Sequence, residues 1–178
     1  MTLQKSPLYL PQDVWQAFLF EVEILNARDW IITKIMAASA RPIKEVLGLK
    51  IGDQKLTSEG LILNFPHGRV VRIDDLWVMS KFRDYLDLRA ERNKGILDTL
   101  FLSRYGVPVQ RSQLQESFKR ISARMQLPYF ITTRAVRWSI VSHMMIDKGA
   151  SPNQIRALYG NISIPPEIIA RYSYPACR

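Results

Sequence analysis

The side chains of this 178-residue sequence best suited to chemistry are arginines and tyrosines. Arg41 stands before a proline, Arg134 and Arg137 are three apart, and Tyr172 and Tyr174 flank Ser173 near the carboxyl end. A guanidinium is planar, permanently charged and bidentate, which suits phosphate oxygens. The three-residue spacing puts Arg134 and Arg137 on one face of a helix. A tyrosine hydroxyl, with a free pKa of about 10, becomes a nucleophile when nearby positive charge favours its anion. Other familiar constellations are missing from the sequence. It has no Gly-rich phosphate loop, no His-Glu-x-x-His helix, and only two histidines, His67 and His143, far apart. Nothing therefore recommends nucleotide hydrolysis or zinc chemistry, and the expectation is a protein with no metal and no cofactor.

The composition is that of a folded chain, 47% hydrophobic and 23% charged, which excludes disorder as the main state. Lys and Arg number 25 against 16 Asp and Glu, for a net charge of +9 and a pI near 9.9, which suits a polyanionic partner. Cys177 is the single cysteine, so an internal disulfide and a Cys-based zinc site are excluded. The residues after Met1 lack an apolar signal core, and no run approaches the roughly 20 apolar residues of a membrane span. A cytoplasmic protein without a membrane segment is expected.

The elements that must position these residues are mostly helical. Val14, Ala17, Phe18, Val22 and Leu25 recur at helical spacing from Pro11 to Leu25. Asn26 can cap a second helix running to about Ala40, and Arg41-Pro42 interrupts it before a short helix over Ile43 to Leu49. Leu61–Phe65 and Arg69–Ile73, separated by Pro66-His67-Gly68, read as a hairpin. Helices are predicted from Asp75 to about Arg92 and from Ser112 to Met125, with Leu100-Phe101-Leu102 a β-like run between them. Thr132 or Thr133 can cap a helix that carries Arg134, Arg137 and His143 as far as Lys148-Gly149. Ser151-Pro152 opens another, ending near Gly160, and Pro165-Pro166 starts a last one with Arg171 and Tyr172 near its end. Trp15, Trp30 and Trp77 are assigned to the core, as is His143. The fold class is α+β, mostly α, with a small antiparallel sheet, and residues 1–178 are taken as a single domain.

The order of these segments resembles the catalytic domain of the tyrosine recombinase (phage integrase) family. The resemblance rests on Ala40-Arg41-Pro42-Ile43-Lys44-Glu45, the hairpin after it, Arg134-Ala135-Val136-Arg137, Leu158-Tyr159-Gly160-Asn161, and the closing helix that ends at Arg171-Tyr172. It implies site-specific recombination of double-stranded DNA, with strand cleavage and rejoining through a 3′-phosphotyrosine. Homo-oligomers, up to a tetramer on DNA, are part of what it implies. Arg41, Arg134, Arg137, Asn161 and Tyr172 become the catalytic set, and Asn64, His67 and Arg69 become hairpin residues that touch DNA. The family's amino-terminal core-binding domain is not expected here, which suggests either a compact recombinase or a fragment of a longer one.

This sequence departs from the family pattern at four places. Arg134 replaces a usual histidine, which keeps a phosphate contact but not proton transfer. Asn161 stands where a second histidine or a tryptophan is usual. No lysine lies between Lys55 and Lys81, so the hairpin lysine that resembles a general acid is missing; alignment puts Asn64 there, with His67 or Arg69 as nearby substitutes. Pro165-Pro166 lengthens the gap from Asn161 to Tyr172, which leaves Tyr174 as an alternative nucleophile. These departures support a second reading, a catalytically impaired recombinase-like protein that binds DNA or regulates.

Overall fold

In the computed structural model, which describes residues 5–93, 97–160 and 162–173, capping residues set the helix boundaries. Asn26 ends α1 (Gln12–Leu25) with its backbone N–H on the Val22 carbonyl, and starts α2 (Ala27–Ser39) by accepting from the Asp29 N–H with its side chain. Buried hydroxyls along α2 are satisfied within the helix, Thr33 on the Asp29 carbonyl and Ser39 on that of Ile35. This lets α2 bury most of its surface against α1, α4 (Leu76–Asn93) and α6 (Thr133–Ser142). The helix that delivers Arg41 is thus the central one.

The sheet has three antiparallel strands in the order β1 (Gln54–Leu56), β2 (Leu61–Phe65), β3 (Arg69–Ile73). Only β2 and β3 are legible in the sequence; β1 is three residues with no apolar alternation, held by pairing Leu56 with Leu61. In the β2–β3 register Leu61, Leu63 and Phe65 face Ile73, Val71 and Arg69 on the core side, and Asn64 faces Val70 on the other. The chain continues through α3 (Ile43–Leu47) before the sheet, α5 (Arg111–Arg124) after α4, and α7 (Pro152–Tyr159) and α8 (Pro166–Ser173) after α6.

Three expectations are corrected. Trp77 is 54% exposed, whereas Trp15 and Trp30 are buried. It lies in the first turn of α4, where Nε1–H donates to Glu23 and the ring meets Lys81. Leu100, Phe101 and Leu102 are buried but form no strand. Isolated bridges at Thr99 and Leu102 take the place of a ladder, with side chains of α4 satisfying the backbone between them. The helix bearing Arg137 stops at Ser142 and widens into a π turn, His143–Asp147, in which the buried His143 donates from Nε2 to the Leu10 carbonyl.

Two hydrophobic clusters result. A large one joins α1–α5 and the sheet, and a smaller one unites Ala40, Trp138 and Val141 with Ile155, Tyr159 and Ile168 of the last two helices. Helix α6 belongs to both, since Ala135 and Val136 point into the first and Trp138 and Val141 into the second. Among the described residues no helix is long and apolar enough to cross a membrane.

Candidate active site

The site is built at the seam between the two clusters. Ala40 closes α2 in the left-handed conformation, φ 50 and ψ 25, a geometry that costs a residue with a Cβ about 1 kcal/mol or more. That turn points the next residue, Arg41, away from the helix. Its backbone N–H donates to Ser39 Oγ at 3.2 Å, and its Nη1 pairs with Glu45 Oε2 one helical turn on, also at 3.2 Å. The same Ala40 offers its carbonyl to Arg137 Nε at 2.6 Å, and the Arg137 guanidinium lies 4.5 Å from the centre of the Trp138 ring. One strained residue therefore fixes both arginines.

Arg69 arrives from the hairpin. Because it shares a face with Val71 and Ile73, it points toward the core and donates to the Leu158 carbonyl at the end of α7. Gly160 makes that approach possible: its φ is +73, and a Cβ there would overlap Arg69 Nη1. Burial lowers the pKa of Arg69, and the charge of Arg41 lowers it further. Burial also lowers that of Arg137; Glu45 opposes the shift and Arg41 adds to it. Arg69 and Arg137 nonetheless stay cationic at neutral pH, since arginine does not deprotonate in proteins. The side-chain Nε atoms of Arg41 and Arg69 are buried without a hydrogen-bond partner among the described residues. Mutually repelling cations with unpaired buried donors form a site that an anion would complete.

Of the residues expected to act together, Arg41 and Arg137 converge, and Arg69 joins them. Arg134 is exposed in the first turn of α6 and lines a different groove, with Arg111 and Glu167. Asn64 is exposed on the opposite face of the sheet from Arg69. Tyr172 is half-buried in the last turn of α8, packed on the smaller cluster. Asn161, Tyr174 and the His67 side chain lie outside the described residues. The preference for Arg69 over Asn64 was available in the sequence as strand parity, because Arg69 alternates in step with Val71 and Ile73. The parts played by Ala40 and Gly160 carried no comparable signal. Tyr159, buried with its hydroxyl on Met144 Sδ at 3.5 Å, is a packing residue whose pKa burial raises.

No family model matches the chain. Its fold recurs in the XerH site-specific recombinase bound to its difH substrate, with a TM-score of 0.73 over 95% of this chain and 50% of that one, at 19% identity. XerA recombinase gives 0.72 over 97% of this chain and 66% of that one, again at 19% identity. The fold is that of a tyrosine recombinase catalytic domain. In sequence, the chain is 24% identical over 132 residues to the virulence plasmid integrase pGP7-D of Chlamydia trachomatis, a match covering 73% of this chain and 42% of the integrase. The chain thus spans about half or less of the length of the recombinases and integrases it matches in this way. Within this fold, Arg41 and Arg137 come from the segments that carry the resemblance, and Arg69 joins them from the β2–β3 hairpin.

Proposed function

We propose that this chain binds duplex DNA through its phosphate backbone and cleaves and rejoins a strand as a site-specific tyrosine recombinase. The observation that carries the reading is the meeting of Arg41, Arg69 and Arg137, with two buried Nε donors that have no acceptor among the described residues. In this reading the guanidiniums hold the non-bridging oxygens of one phosphodiester and stabilise the extra charge of its pentacoordinate transition state. Tyr172 is the nucleophile: its oxygen bonds to phosphorus, the bond to the 5′ oxygen breaks, and a 3′-phosphotyrosine and a free 5′ hydroxyl remain. The proton lost by the phenol is balanced by one gained at the 5′ oxygen. Attack by a 5′ hydroxyl from a partner strand reverses the step and conserves the phosphoester. The chemistry as written calls for no metal or cofactor. Assembly of several copies on cytoplasmic DNA, as the lambda integrase tetramer assembles on a Holliday junction, belongs to the same reading.

A second reading has one observation in its favour. Among the described residues, the three cations gathered at the site are arginines, which hold their protons too tightly to hand one to a leaving oxygen. A DNA-binding protein without cleavage would look the same. Incubation with a nicked suicide duplex separates the two. A covalent adduct that Tyr172→Phe abolishes supports cleavage. Salt-sensitive duplex binding without an adduct supports the second reading. If Arg41→Ala and Arg137→Ala change neither binding nor adduct, both readings of the site fail.

A further inference from the structure

Beside the first turn of α6 lies a groove of about 440 Å³ lined by three cations, Lys5, Arg111 and Arg134, and by Thr133 and Glu167. It is separate from the cluster of Arg41, Arg69 and Arg137. None of the three cations makes an ion pair or a side-chain hydrogen bond among the described residues, although ion pairs form elsewhere on the surface. Thr133 is 5% exposed, so what it shows to solvent it shows to this groove, and its hydroxyl has no hydrogen-bond partner among the described residues. The wall that carries it is fixed: the Gln115 side chain donates to the Ile131 carbonyl and accepts from the Thr133 N–H, and Thr132 caps the Ala135 N–H. The groove therefore combines three uncommitted cations, a nearly buried free hydroxyl and the amino end of a ten-residue helix, against one carboxylate.

The position of the groove says which anion it takes. Arg134 precedes Arg137 by three residues of α6, which makes them neighbours on one helix face, about 5–6 Å apart at Cβ; successive phosphates of a duplex strand, separated by winding as well as by the axial rise, lie within the spread of two such long side chains. A strand with one phosphate against Arg137 would bring a neighbouring phosphate to Arg134. We propose that this groove is a second phosphate seat, in which Arg134 and Arg111 hold the backbone phosphate next to the reacting one, assisted by Lys5 and the Thr133 hydroxyl. The proposal rests on the DNA-binding reading above. It gives Arg134 a binding task distinct from the reaction centre, and it gives Arg111 a role in the same contact. Glu167, which reaches the groove from the start of α8, opposes the phosphate and sets how tightly it is held.

The test is duplex binding by fluorescence anisotropy across a potassium chloride series, paired with adduct formation on the suicide duplex at saturating protein. The double variant Arg111→Gln/Arg134→Gln is expected to lose about 0.9 from the slope of log affinity against log salt, the loss of one phosphate and not two, because both arginines serve the same seat. Its thermal unfolding is expected to match the parent. Glu167→Gln acts in the opposite direction and binds more tightly, a result that misfolding cannot mimic. A duplex with one methylphosphonate beside the cleavage position weakens binding by the parent and leaves the double variant indifferent, whereas competition by inorganic phosphate alone, with no methylphosphonate effect, would reassign the groove to a free anion and overturn the proposal. An unchanged slope in the double variant overturns it. So does loss of cleavage at saturation in Arg134→Gln alone, which would return that residue to the reacting phosphate. A parent protein with no salt-dependent duplex binding would instead overturn the DNA-binding reading and this seat with it, an outcome distinct from either.

Discussion

Arg89 and the pair Arg41 and Arg69 put the same group into different circumstances. Arg89, 5% exposed on α4, donates from Nε to the Thr99 and Leu100 carbonyls and from Nη2 to those of Leu97 and Thr99. Its charge is spread over main-chain oxygens, and the irregular segment from Leu97 to Leu102 is wrapped around it. Tyr85 completes the arrangement, donating to the Leu100 carbonyl and accepting from the Leu102 N–H. Arg41 and Arg69 also have partners, Glu45 and the Leu158 carbonyl, but each buries an Nε with no acceptor among the described residues, and the two face each other as like charges. A guanidinium whose buried donors all find acceptors is scaffold; one that keeps a buried donor unused, beside its like, is a binding site held at some cost to stability.

The largest expected effect tests that division directly. Arg89→Met removes four charge-assisted hydrogen bonds and leaves the Thr99 carbonyl without a side-chain donor among the described residues, while Leu97 and Leu100 keep Asn93 and Tyr85; it should destabilise the fold by about 3 kcal/mol, read from urea unfolding. Arg41→Ala removes repulsion along with a partly buried ion pair and should stay within about 1 kcal/mol of the parent, while adduct formation falls by about 10² or more. Similar stability losses in the two variants would dissolve the distinction. Gly160→Ala comes next. Its φ of +73 should cost about 1–2 kcal/mol, and displacement of Arg69 by the new methyl should lower adduct yield beyond what that loss of stability explains. Ligand linkage is smaller again. At tenfold excess over Kd, a short duplex should stabilise the parent by about 1.4 kcal/mol, a gain that shrinks in Arg41→Ala/Arg69→Ala and persists in a folded Arg89→Lys variant. Smallest of all is Asn64→Ala, an exposed change on the far face of the sheet, expected within about 0.5 kcal/mol and without effect on adduct. An Asn64 effect as large as that of Arg69→Ala would return the hairpin's contribution to the other face.

Helix starts and stops were the most legible features. Asn26, Thr132 and Ser151 cap where their side chains can reach a nearby N–H, because capping is decided within four residues. The misreadings share a cause. Trp77 stands with Trp15 and Trp30 as a core candidate, but its place in the first turn of α4 gives it Glu23 and Lys81 as partners instead. Leu100–Leu102 had the composition of a strand, yet its hydrogen bonds went to Tyr85 and Arg89, residues earlier in the chain whose proximity no local pattern announces. The candidate site shows the same limit. Arg41 and Arg137 stood out in the sequence, whereas Arg69 was only one of several hairpin substitutes and Arg134 was grouped with Arg137.

By itself the sequence determined the element order, the basic charge and the ordered series of arginines and tyrosine on which the family resemblance rests, since periodicity, caps and turns are short-range. Only the tertiary structure decided which guanidiniums meet. Ala40 aims Arg137 across 97 positions of chain, and Arg69 reaches an α7 carbonyl 89 positions away. A guanidinium looks the same in sequence wherever it falls. Whether it becomes scaffold or ligand site depends on the acceptors and charges folding brings to it, and those come from distant segments.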